Sequence, residues 1–85
     1  MDHDKYIVFR KDDGEEYSVI FPAYRAHDEF AITVETSDVP ISAGFVISDA
    51  FGAYVCFGKS VSLNLGSRPK EDGELVNSTT NVMMK

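Results

Sequence analysis

Apolar positions, most of them β-branched or aromatic, follow polar ones in two short strand-like runs near the start of the chain, Lys5–Arg10 and Glu15–Phe21. The dipeptide Asp-Gly at 13–14 lies between them, which predicts a two-residue β-hairpin loop of type I′. That loop would place Tyr6 opposite Phe21 and would fix the register of both strands. Large apolar side chains would then lie on both faces of this hairpin.

The next segment, residues 27–35, fits two patterns. Apolar positions recur at helical spacing from His27 to Val34, whereas the β-branched sequence at 32–34 is typical of a strand. The acids at 28–29 favour a helix, because negative charge stabilises its first turn. We predict a short helix from about His27 to Glu35.

Residues 40–65 are the most apolar part of the chain, with glycines spaced through them. This composition predicts strands that are buried on at least one face. Ala43–Ser48 and Ala53–Phe57 would form a second hairpin around a turn. The pairing would bury Cys56 opposite Phe45.

The chain after Gly58 alternates again, which predicts a further strand through Val61, Leu63 and Leu65. Ser67–Pro69 then resembles a helix start, because proline is common in the first helical turn and acids follow it. One apolar face of this helix would consist of Leu75, Val76, Thr79, Val82 and Met83.

These elements predict an α+β fold. Its antiparallel sheet would have about four to five strands from two hairpins, with a short helix between the hairpins and a C-terminal helix. A chain of 85 residues supports one hydrophobic core. Residues 1–85 are therefore predicted to form a single domain, with a polar tail at 1–4.

The charge of the chain argues against some partners. With 14 acidic residues against 8 Lys and Arg, the net charge is −6, which disfavours direct nucleic-acid binding because phosphates are repelled. No stretch reaches the roughly 18 apolar residues of a membrane span, and the N-terminal residues are not those of a signal peptide. A free cysteine without an export signal predicts a cytoplasmic protein.

Catalytic or metal chemistry has few candidate residues. Cys56 is the only cysteine, and His3 and His27 are the only histidines, so one chain can build neither a disulfide nor a zinc site. Cys56 and His27 could form a nucleophile–base pair, but a lone cysteine in an apolar strand is usually a small buried hydrophobic residue. We expect no enzyme activity and no cofactor.

Two sets of polar residues are candidate binding sites. The sequence GKS at 58–60 matches only the end of a phosphate-binding P-loop, so a bulge between strands is the favoured interpretation. A small ligand such as a nucleotide signal would be contacted by Lys59, Ser60, Arg68 and Lys70. The hairpin tip is either a solvated turn or an acidic patch for a basic partner, formed by Asp12, Asp13, Glu15 and Glu16.

Several motifs of this chain resemble motifs of small uncharacterised proteins encoded in phage and prophage genomes. They are a strand pair ending in Phe-Pro, PISAGFV at 40–46, and GKSVSL followed by SRP within residues 58–72. The resemblance extends from Tyr6 to Leu75 and implies a phage or mobile-element origin without a known activity. Short acidic proteins of such genomes often dock on host proteins, including defence systems.

We therefore expect a non-catalytic interaction protein that docks on a host protein, as an inhibitor or an anti-defence factor. A small-ligand binding protein or nucleotide sponge, and a structural homo-oligomer, are the alternatives. The two apolar faces of the first hairpin also predict a homodimer, because two modest helices would leave one face open.

Overall fold

The structure is a computed structural model that describes residues 3–34, 36–78 and 82–83. In chain order the elements are β1 (Asp4–Arg10), β2 (Glu16–Phe21), α1 (His27–Thr33), β3 (Val39–Ser48), β4 (Tyr54–Phe57), β5 (Lys59–Ser60), β6 (Leu65–Gly66), α2 (Pro69–Ser78) and β7 (Val82–Met83).

The main sheet has the strand order β4-β3-β1-β2-β7. Its first four strands are antiparallel, whereas β7 pairs with β2 in parallel. Helix α2 packs on one face, and α1 together with the β5–β6 ribbon packs on the other. The predicted α+β fold, with a short helix between two hairpins and a C-terminal helix, is confirmed. Asp4 already belongs to β1, so the polar tail is shorter than predicted.

The predicted register of the first hairpin is wrong by one residue. Its loop has three residues, because the Lys11 amide donates to the Glu15 carbonyl at 2.8 Å and the Gly14 amide donates to the Lys11 carbonyl at 2.9 Å. Gly14 has a φ of 91°, as in the bulge that closes such loops. Tyr6 therefore lies opposite Ile20. A slip of one residue reverses which β2 side chains share a face with which β1 side chains.

The second hairpin shows the same kind of correction. Its turn closes at Gly52, which has a φ of 86°, and Cys56 lies opposite Val46 instead of Phe45. The predicted strand after Gly58 is also wrong. The chain forms the short β5–β6 ribbon, with a turn at residues 61–64 that brings Leu63 and Leu65 against the core.

Both predicted helices exist, with different ends. Helix α1 ends at Thr33, and Glu35 lies outside the described residues. Helix α2 begins at Pro69 as predicted but ends at Ser78. Residues 82–83, predicted on its apolar face, form β7, while Thr79 lies outside the described residues. The polar run after Asn77 favours this early end, because Asn, Ser and Thr are poor helix formers.

The core has two clusters, one on each face of the sheet. The cluster on the α2 side contains Tyr6, Val8, Ile20, Val46, Cys56 and Val76. The cluster on the α1 side contains Ile7, Phe9, Val19, Phe21, Phe30 and Ala43. Both faces of the first hairpin are therefore covered within one chain. The reason given above for a homodimer, an uncovered hairpin face, is wrong.

Candidate functional site

A buried polar network joins α2 to the sheet at Asp72, whose side chain is fully buried. Its carboxylate accepts hydrogen bonds from the Tyr6 hydroxyl at 2.6 Å and the Ser42 hydroxyl at 3.0 Å. It also accepts bonds from the main-chain amide and the Nε of Arg68, at 2.9 and 3.0 Å. Burial and the bond to Asp72 raise the pKa of Tyr6 above its usual range. A buried charge that is paired and hydrogen-bonded in this way anchors the helix.

The network engages two of the sequence-predicted binding residues. Arg68 bridges Asp72 and Glu16, with nitrogen–oxygen distances of 2.8 and 2.9 Å, and Glu16 also pairs with Arg10 at 2.9 Å. Hydrogen bonds from Arg68 and then Arg10 hold the pKa of Glu16 below its usual value. Arg68 and Glu16 thus already have partners within the fold.

The structure does not bring the predicted ligand residues together. Ser60 is buried, and its Oγ accepts a hydrogen bond from the Leu63 amide at 3.2 Å. Lys59 is exposed in β5 on the α1 side, whereas Arg68 is held by Asp72 on the α2 side. Lys70 is exposed on the first turn of α2.

The acids of the hairpin tip lie in solvent. Asp12, Asp13 and Glu15 are exposed, and Lys11 pairs with Glu15 at 3.4 Å. The Asp13 carboxylate accepts a hydrogen bond from the Glu15 amide at 2.9 Å, which stabilises the turn. The tip is a solvated turn with its own local bonds, and Glu16 faces inward to the arginines.

Cys56 and His27 lie on opposite faces of the sheet and do not form a pair. Cys56 packs in the α2-side cluster, where burial and the charge of Asp72 raise the pKa of its thiol to about 11. The Nε2 of His27 donates to the Gly44 carbonyl at 2.9 Å on the α1 side, and burial lowers the pKa of His27. A thiol with this pKa is protonated at neutral pH and is a poor nucleophile.

The α1 side of β3 and β4 carries an apolar surface that is only partly covered: the centroid of the His3 ring lies 4.9 Å from that of Phe45 and 6.1 Å from that of Phe57. It consists of Phe45, Ile47, Val55 and Phe57, which we call the apolar edge surface. Phe45 pairs with Phe57 and Ile47 with Val55 across the two strands. Val55 is 46% exposed and Phe57 is 40% exposed, because α1 and the ribbon cover only the other end of this face.

A pocket of ≈ 270 Å³ adjoins the apolar edge surface, and we call it the edge pocket. Its lining contains two lysines and no carboxylate, in a chain whose net charge is −6. The lining residues are Lys5, Ala26, His27, Phe45, Lys59, Val61 and Ser62. Lys5 donates to the Arg25 carbonyl at 2.8 Å, so its ammonium is fixed at one side of the pocket. The apolar surface thus ends at a positively charged depression.

Strand β4 is an edge of the main sheet. The Asp49 amide donates to the Ala53 carbonyl at 2.7 Å, so the alternation of the antiparallel ladder turns the main-chain groups of Tyr54 and Cys56 outward. The side-chain amide of Asn77 occupies the outward groups of Tyr54: its oxygen accepts from the Tyr54 amide at 2.7 Å, and its nitrogen donates to the Tyr54 carbonyl at 2.8 Å. Cys56 is only 1% exposed, so its outward groups are not open to solvent either.

Comparisons with protein-family models, characterised proteins and solved structures give no match. Among the described residues, no helix is long and apolar enough to cross a membrane. The same residues contain no group of three His, Cys, Asp or Glu side chains that could hold a metal ion.

The sequence reasoning missed Asp72 and the apolar edge surface. Asp72 could have been found, since it is three and four residues before the apolar Leu75 and Val76 and so lies on the buried face of α2. The exposure of Val55 and Phe57 had no such signal, because it depends on how far α1 and the ribbon extend over the sheet.

Proposed function

We propose that this chain is a non-catalytic protein-binding domain, and that its binding surface is the apolar edge surface together with the edge pocket. The observation that carries the proposal is the exposure of Val55 and Phe57 beside Phe45 and Ile47. Contiguous exposed apolar side chains on a small domain are a common mark of an interaction site. Aromatic residues in such patches contribute much of the binding free energy.

The charges around this surface define the chemistry of the partner. Lys5 and Lys59 line the pocket at its end, so a complementary surface combines apolar side chains with at least one carboxylate. The partner is therefore a protein with an apolar ridge next to an acidic side chain. The resemblance to phage and prophage proteins supports a host protein in this role, with inhibition as the expected effect of docking.

A capture experiment with matched variants tests the proposal. The immobilised wild-type domain is exposed to a host lysate, beside Phe57→Ser and a control, Ile32→Ser, which removes an exposed side chain from α1. A stoichiometric partner should be retained by the wild type and by Ile32→Ser and lost with Phe57→Ser. Loss of an aromatic hot spot costs about 2 kcal/mol or more, roughly a thirtyfold increase in Kd. Equal capture by all three proteins would refute the assignment.

A second pair of variants tests the charge of the site. Lys59→Glu reverses a charge at the edge pocket, and Lys70→Glu makes the same change on α2, away from the pocket. The purified partner should associate more slowly with Lys59→Glu only, because like charges oppose encounter. Equal association rates for the two variants would show that the partner's acidic group lies elsewhere.

The edge pocket also favours a second candidate function, the binding of a small anion such as a nucleotide. The supporting observation is that two lysines and Phe45 line a pocket without a carboxylate. A nucleotide at 100 times its Kd would raise the free energy of unfolding by about 2.7 kcal/mol, which a thermal-shift screen detects. Lys59→Gln should abolish such a shift and Lys70→Gln should retain it. Absence of any shift would remove this candidate.

A further inference from the structure

The imidazole of His27 belongs to the lining of the edge pocket, although the residue is only 4% exposed. Its Nε2 donates to the Gly44 carbonyl at 2.9 Å, and a carbonyl can only accept. In the neutral ring the other nitrogen, Nδ1, is therefore the unprotonated one. A proton that His27 takes up goes to Nδ1 and turns the ring into a cation at the pocket.

Positive charge already surrounds this imidazole. Lys5 of β1 and Lys59 of β5 line the same pocket, and the Lys5 ammonium is fixed by its bond to the Arg25 carbonyl at 2.8 Å. The carboxylate of Asp28, on the same helix as His27, acts on the ring but does not line the pocket. The groups that pack on the ring from β2 and β3 are uncharged aromatic rings, those of Phe21 and Phe45.

The folded chain keeps His27 in its neutral form at neutral pH. Burial lowers the pKa of His27 and the charge of Lys5 lowers it further, against the opposite effects of the bond to Gly44 and of Asp28. An anion in the edge pocket would offset the charge of Lys5 and place negative charge near the ring. Both changes favour the protonated imidazole, because an opposite charge within a few ångströms stabilises the charged form.

We propose that the edge pocket binds a doubly charged oxyanion, such as the phosphoryl group of a nucleotide, together with a proton on His27. Lys5, Lys59 and the imidazolium of His27 then supply positive charge from three elements, which suits a dianion better than a single carboxylate. Anion and proton each increase the affinity for the other by the same factor. The inference rests on the second candidate function, the binding of a small anion, and makes that binding stronger as the pH falls.

Sulfate is the probe for this coupling, because it stays doubly charged between about pH 5.5 and about pH 8, whereas a phosphoryl group titrates near pH 6. Calorimetry at constant ionic strength measures its affinity at both ends of this range. The wild type should bind roughly threefold to tenfold more tightly at the lower pH. His27→Gln retains a donor for Gly44 and should bind equally at both. His3→Gln removes the other histidine and should keep the dependence.

The remaining outcomes separate the site from the coupling. Lys59→Gln should weaken sulfate binding at both pH values, since it removes a charge and leaves the ring that takes up the proton. Wild-type binding that does not change with pH, or a dependence that persists in His27→Gln, would refute the coupling and leave the anion site in place. Absence of sulfate binding at both pH values would overturn the inference, and absence of any nucleotide shift as well would remove the candidate function.

An NMR titration of the wild type gives the same test without substitutions. The ring signals of His27 should change at a higher pH in sulfate than in chloride of equal ionic strength, because bound sulfate stabilises the protonated ring. Those of His3, which does not line the pocket, should change at the same pH in both salts. A His27 titration that is identical in the two salts would overturn the proposal.

Discussion

The two faces of the β3–β4 hairpin differ sharply although they share the same strands. On the α2 side, Val46 and Cys56 are buried, and the Asp72 network beside them leaves no described buried side-chain nitrogen or oxygen without a partner. On the α1 side, Val55 and Phe57 alternate with Cys56 along β4 and remain exposed. The two faces therefore differ in how completely the rest of the chain covers them.

The difference reflects the length of the covering elements. Helix α2 has 10 residues and reaches both β2 and β4 across its face. Helix α1 has 7 residues, and its buried Phe30 stacks on Phe21 at a ring distance of 4.0 Å, far along the sheet from β4. In this hairpin the α2 side belongs to the core, whereas part of the α1 side remains exposed.

The largest effect is expected from Asp72→Ala. The substitution leaves Arg68 and the hydroxyls of Tyr6 and Ser42 without their acceptor, and breaking a buried ion pair costs about 3–5 kcal/mol. Urea unfolding measures the loss. Glu71→Ala, at an exposed position on the same helix, is the control and should change stability by less than about 0.5 kcal/mol. Similar losses of stability in the two variants would contradict the conclusion that Asp72 anchors α2 to the sheet.

Gly44→Ala should cost about 1–3 kcal/mol, because an added Cβ would meet the Phe57 carbonyl oxygen and main chain must move. Gly66→Ala is the matched control, since no atom lies within 4 Å of the Cβ position there. Thermal unfolding compares them. If Gly44→Ala does not change the thermal stability, β3 and β4 are less closely packed than in the structure.

Cys56→Ser and Val55→Ser compare the two faces at adjacent positions. Cys56→Ser should destabilise by about 1–3 kcal/mol, because it buries a hydroxyl in the α2-side core. Val55→Ser should cost less than about 1 kcal/mol and instead weaken partner binding. The difference should appear in paired unfolding and binding measurements. The reverse order of destabilisation would show that Val55, and not Cys56, is the buried position of the pair.

His27 should make stability depend on pH. Its folded-state pKa is lowered by burial, so the unfolded chain binds more protons between that pKa and the ordinary value of 6.5. The stability that His27 contributes in its neutral form is therefore fully present above pH 6.5 and is lost as the pH falls below this value. His27→Gln retains a donor for Gly44 and should show a flatter profile in this range, by unfolding at a series of pH values. If the stability of His27→Gln depends on pH as steeply as that of the wild type, other groups cause the dependence.

Asn77→Ala should have a small effect on stability, about 0.5–1.5 kcal/mol, because its hydrogen bonds to Tyr54 are exposed. It also uncovers the outward main-chain groups of Tyr54 at the β4 edge, which favours strand pairing between molecules. Light scattering should show stronger self-association than for the wild type. Ser78→Ala is the control on the same exposed end of α2, and equal association of the two variants would contradict the capping role.

The sequence predicted the fold class and most elements, because alternation and helical spacing are local signals. The register of the first hairpin was not predictable in this way, since an Asp-Gly pair suits both a two-residue loop and the three-residue loop with Gly14 in the bulge. Pairing with β3 on the other side of β1 constrains that choice. Strand β7 depends on contact with β2, which lies far away in sequence, so no local pattern revealed it.

The candidate site was less predictable than the fold. Lys59 was identified from the sequence and lines the edge pocket, whereas Arg68 and Glu16 are engaged in ion pairs with each other. Charged residues in a sequence do not show which of them will be neutralised by neighbours. The exposure of Phe57 likewise depends on the reach of α1, which only the folded chain defines.

The most direct test is an NMR titration of the labelled domain with the partner retained in the capture experiment. If the apolar edge surface is the binding surface, the amide signals of Phe45, Val55, Phe57 and Lys59 should shift or broaden most. Those of Lys70 and Glu74, exposed on α2, should stay in place. Perturbations centred on α2 or on the hairpin tip, with the β4 signals unchanged, would contradict the account.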